Sequence, residues 1–247
     1  MTDILTVMWR ERKALLRQQG SRARFVLTLL APVAVFAIWI PWQEGRGWLE
    51  SPFSLIVSVF VPLLLVGMII PESFAGERER HTLETLLASR LPDRAILFGK
   101  VAMAVGLAWA VTLLALFLAF VTANVADWEG QVMFYTVTIA LGNVALSLIM
   151  ASLMAGLGIL ISLRAATVQG AMQTLMAATM MPLTLLGVIA TALLTMELEW
   201  VERITEFLGG ADLEHILLIV GAVLLAAALL SLWAASVRFR RARLILN

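Results

Sequence analysis

The sequence predicts an all-α integral membrane protein with six transmembrane helices, an N-terminal interfacial helix, and a short charged helix between the second and third spans. Three observations carry that prediction. The first is composition: 61% of residues are hydrophobic and 14% charged, with mean hydropathy +0.94. A soluble domain runs at about 45–50% apolar and about 25% charged. The second is a series of apolar runs at 25–42, 53–71, 101–123, 132–163, 165–196 and 216–237. As a helix, about 20 apolar residues cross a hydrocarbon core. The third is the placement of the 18 lysines and arginines. Six precede residue 25, five lie in 72–100, one is Arg164 and four follow residue 237. Only Arg46 and Arg203 fall in the other loops. The positive-inside rule therefore puts both termini and the 72–100 segment in the cytoplasm. The length suits one domain over 1–247.

Taken in order, residues 1–24 place Ile4, Leu5, Met8, Trp9, Leu15 and Leu16 on one helical face. Arg10, Arg12, Lys13 and Arg17 lie mostly around the other. A basic amphipathic stretch with tryptophan reads as a helix in the membrane interface; the plainer alternative is a basic tail. Charge runs throughout it and no cleavage site follows, so it is not a signal peptide. Trp39, Trp42 and Trp48 anchor the far end of the first span. The fourth and fifth runs exceed one crossing and meet at Arg164, which belongs in a turn. Between the last two spans, Leu198, Val201, Ile204 and Leu208 repeat at helical spacing until Gly209-Gly210. That reads as a short amphipathic helix at the outer surface or an ordinary solvated loop helix.

The spans are poor in polar groups. No Asp, Glu, Lys or Arg falls deep inside any run. Ion-driven transporters need such groups at membrane depth, so secondary transport is disfavoured, and so is an intramembrane enzyme. Asn143, Ser147 and Ser152 in the fourth span, with Gln169, Gln173 and Thr174 in the fifth, either face a substrate path or join helices by hydrogen bonds. Of these, Asn143, Ser147, Gln173 and Thr174 are the candidate path residues. Gly156 and Gly158 read as close packing, and Pro182 as a kink. There is no cysteine, hence no disulfide or thiolate metal site. The two histidines, His81 and His215, fall on opposite sides of the membrane and cannot share a metal. No nucleotide-binding P-loop is present: Gly99-Lys100 is followed by Val101 and lacks the upstream glycine. The basic residues border the membrane, where anionic lipid explains them better than nucleic acid.

The charged segment 72–100 organises the rest. Leu83, Leu86, Leu87 and Leu91 share a helical stripe. Pro92 ends that helix and, with Asp93, starts the next. Glu77-Arg-Glu-Arg-His-Thr-Leu-Glu-Thr-Leu-Leu, followed by Gly99-Lys100, resembles the signature of ABC-2 type transporter permeases. Those read Glu-x-Glu-x-Gly-Thr-Leu-Glu-x-Leu-Leu and then Gly-Lys; His81 stands where the family carries glycine. The resemblance implies that this segment is the coupling helix touching a separate ATPase subunit. Glu77, Glu79, His81, Thr82, Leu83, Glu84, Leu86 and Leu87 would then carry the contact. The leucines would dock in an apolar groove, and Glu77, Glu79 and Glu84 would pair with basic residues of the ATPase. It also implies a second permease, identical or related, and ATP with magnesium in the partner rather than in this chain. On this view the chain is the permease of an exporter of hydrophobic or amphipathic cargo. The alternative is a non-transporting scaffold or assembly factor.

Overall fold

The computed structural model describes residues 6–11, 31, 33–80, 92–195 and 212–239. Among them, five helices are long and apolar enough to cross a membrane: α1 (Leu55–Glu79), α2 (Asp93–Ala126), α3 (Val137–Ser162), α4 (Val168–Thr195) and α5 (Leu213–Arg238). Ahead of α1, a π-helix at Val35–Trp39 runs into an α-helix at Ile40–Glu44, so the described part of the first expected span is helical. Residues 25–30 of that span lie outside the described residues. So do 1–5 and 12–24 of the interfacial helix, the expected outer helix at 198–208, and 81–91.

Side-chain contacts fix the directions of the helices. Ser58 meets Asn143, and Gly158 lies against Ile70, so α1 and α3 run the same way. Gly142 faces Leu217 and Gly156 faces Ser231, so α5 runs with them. Helices α2 and α4 return between them. α3 is the middle element, packed along α1 on one side and α5 on the other. α2 presents a stripe of small residues, Ala104, Ala108, Thr112, Ala115, Ala119 and Ala123, all fully buried. Small side chains at this spacing let helix backbones approach closely. The opposite side of α2 exposes Leu114, Phe117, Val121 and Val125, as a lipid-facing surface would.

The structure corrects several expected boundaries. α1 does not stop at residue 71. It continues through Pro71 for two more turns to Glu79. Proline removes one backbone bond, but packing carries the helix on: Pro71, Phe74, Ala75, Gly76 and Glu77 are all buried. The start of the 72–100 segment is therefore part of a membrane helix, not of a separate surface helix. α2 begins at Asp93, as the Pro92-Asp93 pair predicts, and so takes in the residues ahead of the apolar run at 101. Pro92 is extended (ψ 142°) and its carbonyl accepts from the Ala95 and Ile96 amides, as expected for a proline-led start. The run 132–163 is not helical before Val137. Its first residues are held in a loop: the Asn124 side chain donates to the Met133 carbonyl (3.0 Å) and accepts from its amide (2.8 Å). Arg46 donates to the Asp127 and Gln131 carbonyls and to the Glu129 carboxylate (2.6 Å), tying the 45–47 turn to the same loop. Tyr135, beside it, donates to the Leu116 carbonyl, and burial pushes its phenol up to about 12. Arg164 lies in the α3–α4 turn, as expected, and α4 starts at 168 rather than 165.

Candidate coupling site

At the end of the bundle opposite Arg46, the last two turns of α1 form the root of the charged segment. Ser73 and Glu77 stand four residues apart and share a face. That face meets Lys100, near the start of α2, whose side chain is 1% exposed. Its ammonium lies 3.0 Å from Glu77 Oε1 and 3.0 Å from Glu11 Oε1. It also lies 2.9 Å from the Ser73 carbonyl and 3.1 Å from Ser73 Oγ. An ammonium has three N–H donors, so one of these four contacts is electrostatic rather than a full hydrogen bond. Ser73 Oγ donates in turn to Glu11 Oε2 (2.9 Å). The Phe74 ring lies 5.3 Å from the same ammonium, within cation–π range. Arg10 Nη2 stands 3.9 Å from Glu77 Oε1. Two carboxylates thus face two cations, and the buried charge is balanced. Burying a charge without such partners is prohibitively costly.

Two neighbouring residues bind the root to another element. Arg78 Nη1 donates to the Leu163 carbonyl at the end of α3 (2.9 Å). Glu79 Oε2 accepts from the Val168 amide at the start of α4 (3.0 Å). Each satisfies a backbone group that a helix end leaves without an intrahelical partner, and the carboxylate suits the positive end of the α4 dipole. Gly76 permits this approach: a Cβ there would lie 3.3 Å from Val168 Cγ2 and 2.7 Å from Arg80 Nη2. Phe74 also packs edge-on against Phe239, just past α5 (5.7 Å). The root therefore touches the 6–11 helix, α2, the α3–α4 turn and the end of α5.

The profile of the ABC-2 type transporter family matches residues 2–208. The chain belongs to that family. No curated protein matches it. It is accordingly a membrane permease component of an ABC transporter, a component that lacks an ATPase site of its own. The resemblance drawn from the 77–87 motif and Gly99-Lys100 agrees with the family found over the longer match.

Within this permease, the expected coupling residues divide. Glu77 is buried against Lys100 and Arg10, whereas Glu79 is exposed and accepts from the Val168 amide. His81, Thr82, Leu83, Glu84, Leu86 and Leu87 lie outside the described residues. The candidate path residues divide as well. Asn143 is buried and accepts from Ser58 Oγ (2.6 Å) while donating to Ser54 Oγ (3.2 Å), joining α3 to the start of α1. Ser147 is fully buried and donates to the Val144 carbonyl. Gln173 and Thr174 are exposed on α4, Thr174 donating to the Gly170 carbonyl. So the structure does not bring the four together.

Glu11 and Ser73 carry no expectation from the sequence, and Lys100 enters there only within the Gly99-Lys100 pair, with no contact assigned to it. Lys100 counts as a loop cation when only the apolar run from 101 is taken to cross the membrane. Glu11 reads as one acid in a basic tail, although Val7 and Glu11, four apart, form the buried face of the 6–11 helix and Trp9 is exposed. The signal available was a carboxylate in line with an apolar residue of an amphipathic helix, with a lysine close behind a proline-led helix start.

Proposed function

We propose that this permease is the membrane-spanning subunit of an ATP-driven exporter, powered by a separate ATPase that contacts residues 81–91. The reading rests on one observation above the others. The two ends of the charged segment are joined by the buried Glu77–Lys100 pair, and the same root is tied to the 6–11 helix and to the α3–α4 turn. A force on 81–91 would then reach α1, α2, α3 and α4 together instead of being absorbed in a loop. In this role Leu83, Leu86 and Leu87 dock into an apolar groove of the ATPase, and Glu84 pairs with a basic residue there. Glu77 and Glu79 anchor the segment from within. His81 and Thr82 join the two parts. ATP and magnesium belong to the partner. Two permeases, identical or related, pair in the membrane, and both termini face the cytoplasm by the distribution of lysine and arginine.

The path would lie between the permeases, and its poverty in charge suits a hydrophobic or amphipathic cargo. Asn143 and Ser147 serve packing within one subunit; Gln173 and Thr174, exposed on α4, remain candidates for the path. The test is a mild-detergent pull-down from native membranes, with subunits identified and ATP hydrolysis assayed. The expected result is a stoichiometric ATPase that is lost with Leu87→Asp, and weakened ATP-driven transport with Glu84→Lys. An intact, abundant permease that brings down no ATPase would favour a non-transporting scaffold. Full activity of Glu84→Lys would remove that residue from the contact.

A further inference from the structure

A cavity of about 360 Å³ opens where the α3–α4 turn meets the end of α5. It is lined by Leu160, Ile161, Arg164, Ala165, Thr174 and Arg238. Two arginines from distant parts of the chain thus share one small space, and among the described residues no carboxylate lines it. Like charges brought together in this way repel unless an anion sits between them. Three other arginines have carboxylate partners: Arg10 with Glu77, Arg46 with Glu129, Arg80 with Glu72. Arg164 and Arg238 have no ion pair among the described residues. The nearby Glu79 is engaged at the Val168 amide and does not line the cavity. Thr174 directs its hydroxyl proton to the Gly170 carbonyl, so the donors left for an anion are the two guanidinium groups. Arginine's planar fork suits phosphate oxygens.

We propose that this cavity binds the phosphate headgroup of an anionic phospholipid. Its position favours a lipid over a soluble anion. Arg164 follows the last turn of one span and Arg238 ends another, so both lie at the level where apolar helix gives way to headgroups. Trp233, just over one turn before Arg238, is exposed, as an interfacial aromatic would be. Leu160, Ile161 and Ala165 supply an apolar wall against which the glycerol and upper acyl chain can lie. Basic pockets between membrane helices are a recurrent way of holding anionic headgroups. The proposal does not rest on the contact proposed for the ATPase.

The experiment uses the full chain purified in neutral detergent and titrates phosphatidylglycerol while following its thermal midpoint. Phosphatidylcholine and inorganic phosphate serve as separate arms. The expected result is a saturable rise with phosphatidylglycerol and none with the other two. At about a factor of five per arginine near an anionic surface, the double variant Arg164→Gln/Arg238→Gln should bind about 25-fold more weakly. Arg164→Lys/Arg238→Lys keeps both charges but not the planar forks and should retain part of the shift, more than the glutamine pair does, which guards against a mere folding defect. Arg94→Gln, at an exposed arginine outside the cavity, should change nothing. Equal shifts with phosphatidylcholine, or an equal loss in Arg94→Gln, would overturn the site. The same rise with inorganic phosphate alone would overturn the lipid assignment.

Discussion

Lys100 is held by oxygens from Glu11, Ser73 and Glu77, and almost none of its side chain meets solvent. Removing one partner of a buried pair leaves the others desolvated and unmatched, at a cost of about 3–5 kcal/mol. Lys100→Met should therefore lower the thermal midpoint clearly. Neutralising its partners as well, with Glu11→Gln and Glu77→Gln, should recover part of that loss. A triple variant no better than the single one would mean that lost packing, not stranded charge, is the cause. Tyr135 offers a second test, because it is the chain's one tyrosine and its tyrosinate absorbance is read without interference. An unperturbed phenol ionises near about 10; this one is pushed up to about 12 by burial. The folded state thus keeps a proton that the unfolded state releases. Stability is unaffected below about pH 10 and falls as pH rises from about 10 to about 12. Tyr135→Phe should remove that alkaline loss, measured by thermal melts across the range. A titration midpoint near the ordinary value would show that the phenol is not buried.

Helix α3 shows how much of the packing rests on absent side chains. A Cβ on Gly156 would overlap the Ser231 hydroxyl and lie 2.9 Å from the Leu232 backbone nitrogen. Gly156→Ala should cost about 1–3 kcal/mol as an overpacked contact. Ser231→Gly should recover only part of it, since the backbone nitrogen cannot be removed; thermal melts of the single and double variants decide this. At Gly142 the nearest atom is the tip of Leu217 at 3.1 Å, a flexible side chain. Gly142→Ala should be better tolerated than Gly156→Ala. The close packing expected at Gly156 and Gly158 was legible from small residues in an apolar run. The partner helices were not, because spacing along one helix says which side is narrow but not what lies against it. Asn143 makes the same point, since its partners Ser58 and Ser54 are 85 and 89 residues away.

Across the whole molecule, burial is uneven. The apolar window of α1 is 61% buried, whereas those of α4 and α5 are 6% and 11% buried. Leu218, Ile219, Val223, Leu229, Leu230 and Trp233 of α5 are all exposed. Such surfaces suit lipid or another subunit, as a membrane permease requires, and would be untenable in water. The proposed orientation belongs at this scale. The chain contains no cysteine, so single cysteines can be placed without background. Gln131→Cys, in the exposed loop at the Arg46 end, should react with a membrane-impermeant maleimide in intact cells. Ala166→Cys, at an exposed position of the α3–α4 turn, should react only after the membrane is opened. The reverse pattern would invert the topology.

The sequence by itself determined the class of protein, the apolar runs that became helices, the start of α2 at Pro92-Asp93, and the turn at Arg164. It also carried the family signature. These are local properties: transfer of a helix into a bilayer adds up residue by residue, and proline acts on its immediate neighbours. Only the tertiary structure decided that α1 passes through Pro71, that residues 132–136 stay out of α3, and that Lys100 is buried rather than in a loop. Each depends on partners distant in sequence: Glu11 stands 89 residues from Lys100, and Arg46 stands 85 from Gln131. Whether a charge is solvated or enclosed is set by what the fold brings beside it, and a one-dimensional pattern of hydropathy does not contain that distance.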